Sequence, residues 1–233
     1  QLIAVLGDVL SDHSLDPAMV CLMLQLPSEA QLHEQAEIIQ VQAIHRAREF
    51  VRQSIASALQ AQLVSTHQRL TETQAYAPEA EQIGRRALRN CALGYLMNIE
   101  GVGSELAWQQ FNDASNMTDK AAALSALVNC KTAQDCAAQA LKTFEQDYAD
   151  ETLAMNLWLQ VQATCKLTNG LDRVKALMEH SAFNINNPNK ARSLLGAFCS
   201  ANPINFHNVD GSGYGLLQQQ IIALNALNPQ VAA

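Results

Sequence analysis

Residues 44–63 read IHRAREFVRQSIASALQAQL, and this stretch decides the fold class. Ile44, Ala47, Val51, Ile55, Ala58, Leu59 and Leu63 recur at steps of three and four. On an α-helix, with about 3.6 residues per turn, such positions fall on one face, and the arginines, glutamines and serines between them fall on the other. The same spacing returns along the chain. Leu88, Cys91, Ala92, Tyr95 and Leu96 make one such face, and Ala137, Leu141, Phe144 and Tyr148 another. Leu153, Leu157 and Val161, then Leu194, Leu195, Phe198 and Cys199, then Leu217, Ile221, Leu224 and Leu227 continue the series. No run alternates apolar and polar residues long enough to predict a strand.

Helix boundaries are marked chemically. Asp16-Pro17, Asn187-Pro188 and Asn202-Pro203 each set a capping side chain before a proline. Proline has no N–H to leave unsatisfied in a first turn. Ser28 with Gln31 and Thr132 with Asp135 have capping-box spacing. Stops are expected at Asn169-Gly170 and near Gly101 and Gly103. These signals predict roughly ten to twelve short helices joined by short turns. The expected fold is all-α: a curved superhelical array of antiparallel helical hairpins, an α-solenoid of HEAT or armadillo type. No polar linker divides it, so 1–233 is expected to be a single domain.

Composition removes several functions. Charged residues make up 16% of the 233, against roughly 25% in an ordinary globular domain, so no charged tail is present. The formal net charge is −7 and no Lys/Arg cluster occurs, which argues against nucleic acid as a partner. No stretch of about 18 apolar residues occurs, so no membrane partner is expected. The six cysteines form no C-x-x-C pair and sit mostly among apolar helical residues. They read as small hydrophobes in a reducing, cytoplasmic setting. Gln1 is not an initiator, and Gln230-Val231-Ala232-Ala233 reads as the start of another helix, so a fragment of a longer chain is expected at both ends.

Catalytic motifs are sparse. His33-Glu34-Gln35-Ala36-Glu37 resembles half of a zinc-peptidase H-E-x-x-H, with Glu37 at the place of the second histidine. The segment is polar and lies at an expected helix start, where carboxylates suit the helix dipole. No metal site and no catalytic residue is assigned. His45 and His67 share an Arg-rich helical pattern with Arg46, Arg48, Arg52 and Arg69 and read as a solvated face. No G-x-S-x-G elbow and no phosphate-binding G-x-x-x-x-G-K occurs. Asp210-Gly211-Ser212-Gly213-Tyr214 reads as a tight turn feeding a helix. Lys190 and Arg192, beside Asn186, Asn187 and Asn189, place positive charge in a first turn, against the dipole. Such a pair either marks a binding surface or meets an acidic neighbour.

From Asn187 to Phe198 (NPNKARSLLGAF) the sequence resembles the C-terminal helical domain of the bacterial-type aminopeptidase N family. The likeness continues through Asn202-Pro203, Phe206-His207, Asp210-Gly211-Ser212-Gly213-Tyr214 and Leu224-Asn225 to Asn228-Pro229-Gln230-Val231-Ala232. Upstream it includes Arg86-Ala87-Leu88-Arg89-Asn90 and Asn116-Met117-Thr118-Asp119 with Ala122-Ala123-Leu124. Nearer the start it includes Ile38-Ile39, Ala43-Ile44 and Arg48-Glu49. It covers nearly the whole chain, in order.

The resemblance implies a larger zinc aminopeptidase that removes N-terminal residues from peptides. Its single zinc ion and its catalytic residues would lie in a catalytic domain outside this chain, and no cofactor is expected in the chain itself. The chain would cap that catalytic domain, its partner in the same polypeptide, and line the channel by which peptide substrates enter. Arg192 matches a channel arginine of the family; Lys190 stands where arginine is common, and Asn189 is a further channel candidate. The chain alone is expected to be inactive and to self-associate through the surface it would otherwise bury. A free-standing α-solenoid scaffold for protein partners is the alternative.

Overall fold

The computed structural model describes residues 1–227, and among these every regular element is helical. The sequence predicts one domain; the contacts form two compact units, Gln1–Ala133 and Gln134–Ala233. No linker parts them in sequence, because the single 3-10 turn Lys131–Ala133 runs directly into the next helix.

In the first unit the helices are α1 (Leu2–Ser11), α2 (Pro17–Met23), α3 (Glu29–Glu34), α4 (Val41–Ala58), α5 (Gln60–Arg69), α6 (Ala80–Leu96), α7 (Val102–Asp113) and α8 (Met117–Val128). α6 is central and packs on α2, α4, α5, α7 and α8. Leu6, Leu10, Val20, Leu24, Ile55, Leu59, Leu63, Leu88 and Leu96 form its core. A leucine taken fully out of water contributes about 1.5–3 kcal/mol. The stretch 44–63, expected as one face, breaks in two. Leu59 leaves helical geometry (φ −112°, ψ 19°) and separates α4 from α5. Ile55, Leu59 and Leu63 are buried, whereas Ala47 and Ala58 are exposed.

The caps at Asp16, Ser28 and Asn187 form as the sequence predicts. Asp16 accepts from Ala18 N and Met19 N, and Ser28 and Gln31 close a reciprocal box. Asn187 accepts from Asn189 N and Lys190 N. The expected Thr132 box is replaced by the 3-10 turn, within which Thr132 Oγ1 meets Cys130 Sγ. Gly101, with φ +79°, lets the chain reverse between α6 and α7.

In the second unit the helices are α9 (Gln134–Tyr148), α10 (Thr152–Ala163), α11 (Gly170–Met178), α12 (Pro188–Ala191), α13 (Ala197–Ala201), α14 (Pro203–Phe206) and α15 (Ser212–Leu227). A π-helical turn, Arg192–Gly196, joins α12 to α13. α10 is the central element and packs on α9, α11, α13 and the π turn. Phe144, Leu159, Val174, Leu194 and Phe198 are wholly buried. Two boundary signals act otherwise than expected. Asn169-Gly170 opens α11 instead of closing a helix. Asn202 makes no cap for α14; its buried Nδ2 donates to the carbonyls of Ala163 (2.9 Å) and Cys165 (2.8 Å), satisfying the end of α10. The Asp210 carboxylate accepts from Ser212 N and Oγ, and α15 starts there, as the turn predicts. The ending expected from Gln230 to Ala233 lies outside the described residues.

Candidate functional site

Asn189, Lys190 and Arg192 lie together on the short α12 and the first position of the π turn. Pro188 at the first helical position and the Asn187 side chain fix this start: Asn187 Oδ1 accepts from Asn189 N (3.0 Å) and Lys190 N (3.3 Å). Arg192 and Asn189 are exposed and Lys190 is half-buried. Among the described residues no carboxylate pairs with Lys190 or Arg192, so the acidic-neighbour reading has no support. At the far end the N–H of Ala197 bonds to the carbonyl of Arg192, five residues back, which is the π connection. Ala191, Leu194 and Leu195 anchor the turn in the core. Two cations therefore project from a rigid, widened turn. An arginine fork of this kind suits a carboxylate or a peptide carbonyl.

A second polar assembly lies inside the first unit. Arg89 and Asn90 come from α6, Gln110 from α7, Asn116 and Asp119 from the start of α8, and His67 from α5. Asp119, 1% exposed, accepts from Arg89 Nη1 (3.1 Å), Asn90 Nδ2 (2.8 Å) and Asn116 Nδ2 (3.2 Å). Gln110 Nε2 donates to Asn90 Oδ1 (2.7 Å) and to the Asp119 carbonyl (3.0 Å). Its Oε1 therefore faces His67 Nε2 at 2.9 Å, so that nitrogen carries the proton. Burial holds His67 below the usual histidine pKa, with Arg89 adding to that and the Gln110 hydrogen bond and Asp119 opposing it. A cleft of about 410 Å³ lies beside the network, lined by His67, Glu72, Arg89, Asp113 and Asp119 among others. The segments Arg86–Asn90 and Asn116–Asp119, distant in sequence, meet here. His67 is thus buried at 3% exposure and not solvated as its Arg-rich helix predicts. The missed signal is the polar residue on the apolar side of α5, aligned with Leu63 and Leu70.

The half-motif His33, Glu34, Glu37 does not assemble. α3 ends at Glu34, so the His33–Glu37 spacing is not helical and the two share no face. His45 turns instead to Glu29, with Nδ1 2.9 Å from Oε1. All six cysteines are free; Cys21 and Cys165 are buried and the other four half-buried.

A helical array with no strand among its described residues, carrying polar and cationic side chains at fixed turns, defines a helical-repeat module. A family model described as "Domain of unknown function (DUF3458_C) ARM repeats" matches residues 1–233, and the chain belongs to that family. Its relatives include aminopeptidases. The chain is 39% identical to aminopeptidase N of Haemophilus influenzae (strain ATCC 51907 / DSM 11121 / KW20 / Rd) over 100% of its own length and 26% of the relative's. It is 37% identical to aminopeptidase N of Escherichia coli (strain K12) over 97% and 26%, and the match falls on the C-terminal region of aminopeptidase N. The crystal structure of Legionella pneumophila aminopeptidase A in complex with aspartic acid superposes with a TM-score of 0.89 at 31% identity, covering 99% of this chain and 28% of that one. The chain thus spans about a quarter of the length of the curated relatives it matches.

Proposed function

We propose that this chain is the C-terminal helical part of a cytoplasmic zinc aminopeptidase, capping the catalytic domain and lining the path of peptide substrates toward it. The observation that carries this reading is a likeness at 37–39% identity running through nearly all of this chain and a quarter of each aminopeptidase N. The catalytic domain of the same polypeptide is the intended partner, and the surface of the first unit fits such a role. Leu2, Val5, Met19, Leu22, Met23, Ile38, Ile39, Phe50 and Ile83 are large apolar side chains left exposed. The same side chains would drive self-association of the chain when it stands alone.

The chain has no H-E-x-x-H segment, so it offers no set of residues for the zinc of that reaction, and no step is assigned through the metal here. Its own contribution is selection and placement. Arg192, with Lys190 and Asn189 beside it, would receive the carboxylate or carbonyls of the part of a peptide that is not being cleaved. Such contacts are made equally in the ground state and the transition state and act on KM.

The test is Arg192→Met in the full polypeptide that carries this chain, assayed with tripeptides and with a single-residue chromogenic amide. KM for tripeptides is expected to rise about 10-fold, corresponding to one lost charge-assisted contact. kcat, and both constants for the short amide, stay as they were. Unchanged tripeptide KM, or equal losses on both substrates, would remove the channel role.

A further inference from the structure

We propose that Glu29, His45 and Glu49 form a binding site for a divalent transition metal of the zinc type. The three offer ligand atoms that all lie within 4.8 Å of one another. His45 and Glu49 are one turn apart on α4, so their side chains leave the helix side by side. Glu29 is the first residue of α3, which packs on α4, and the Ser28–Gln31 box fixes that first turn. Glu29 is only 7% exposed, and its Oε1 stands 2.9 Å from His45 Nδ1. A carboxylate, an imidazole and a second carboxylate thus converge from two helices with little freedom left to lose.

The donor set selects the metal. One imidazole nitrogen with two carboxylate oxygens matches zinc's N/O preference and leaves a fourth position for water. Calcium and magnesium favour oxygen-only shells of six or more ligands, which three side chains do not supply. A second observation comes from α3 itself. His33 follows Glu29 by one turn, and its Nε2 is buried with no hydrogen-bond partner. α3 therefore presents Glu-x-x-x-His beside the His-x-x-x-Glu of α4, an imidazole and a carboxylate from each.

Two arginines border the site and set its limits. Arg52 Nη1 lies 3.2 Å from Glu49 Oε1 and Arg48 Nη1 lies 3.8 Å from it. Each is also tied to a backbone carbonyl, Arg52 to Gly94 (2.8 Å) and Arg48 to Pro27 (2.8 Å). They stay in place, and Glu49 turns its other oxygen to the metal while Oε1 keeps the guanidinium. In that position Arg52 orients the ligand from outside. The positive charge lowers affinity and makes the site one that fills and empties.

The experiment is zinc titration of this chain after chelator treatment, with the thiols kept reduced, followed by calorimetry. Cobalt substitution provides a second readout. One equivalent of zinc is expected, and the cobalt spectrum should lack a thiolate charge-transfer band. Glu49→Gln and His45→Ala should each weaken that equivalent at least about 10-fold. Glu49→Gln changes a half-exposed side chain and keeps the fold, which circular dichroism verifies, so the test survives if His45→Ala unfolds the chain. Absence of zinc binding overturns the proposal. So does binding that Glu49→Gln leaves unchanged, or a cobalt spectrum dominated by thiolate, either of which would place the metal on cysteines.

Discussion

Replacing Asp119 by asparagine tests the buried network where its charge is concentrated. Asp119 keeps its shape in the variant but loses its charge, while Arg89, 8% exposed, keeps its own. The carboxylate receives three hydrogen bonds, from Arg89, Asn90 and Asn116. An amide offers one acceptor and brings two further N–H donors into a shell already made of donors. Breaking a buried pair from one side costs about 3–5 kcal/mol, because the remaining charge stays desolvated. The assay is urea unfolding followed by the fluorescence of Trp108 on α7, in a Trp158→Phe background so that only the first unit reports. The expected loss of stability is about 3–5 kcal/mol for Asp119→Asn. The double variant Arg89→Met, Asp119→Leu should recover most of it, since no charge is then left stranded. A loss below about 1 kcal/mol, the scale of a solvent-exposed pair, would refute the argument. Additive losses in the double variant would also refute it.

Three further outcomes are expected. Because burial depresses the His67 pKa, the unfolded chain takes up a proton that the native chain refuses. Stability is then full above the ordinary histidine pKa of about 6.5 and falls as pH drops below it, and His67→Gln should flatten that slope in unfolding curves collected across the range. Gly103→Ala places a Cβ 2.3 Å from the Leu96 carbonyl oxygen, so α7 must back away from the end of α6. Thermal melts should show a loss of about 1–3 kcal/mol. Asn202→Ala strips the donor from two buried carbonyls, those of Ala163 and Cys165. A loss of about 1–3 kcal/mol per stranded group is expected in denaturant melts of the second unit.

Helical class was legible because periodicity reports which face of a helix is apolar, and Ile55, Leu59 and Leu63 obey it. The break at Leu59 was not legible. No proline or glycine marks it, and it arises from how α4 and α5 pack rather than from a local preference. Asn202 shows the same limit in reverse. Asn-Pro has the form of a helix start, but the side chain serves carbonyls nearly forty residues earlier in the sequence, which no local pattern records. Among site residues, the unpaired cations Lys190 and Arg192 could be singled out because they oppose the helix dipole. His67 and Gln110 could not, since their roles depend on Arg89 and Asp119 arriving from other helices. Likewise, His33 drew attention for a spacing to Glu37 that the early end of α3 cancels, while Glu29, His45 and Glu49 converge only once two helices pack.

The π turn at Arg192–Gly196 amounts to one residue more than an α-helix would use over the same rise. Each residue of an α-helix turns its successors by about 100°, so this one extra residue sets the direction of everything from Ala197 onward relative to the Asn187 cap. Deleting Ser193 would close the loop into ordinary α-helix and leave Arg192 where its own cap holds it. Phe198 would then swing off the core of its unit, and with it the ring contact it makes to Phe206. A single-codon deletion at a half-buried serine would thereby act as a phase shift, felt more by aromatic packing downstream than by any residue at the site of the cut.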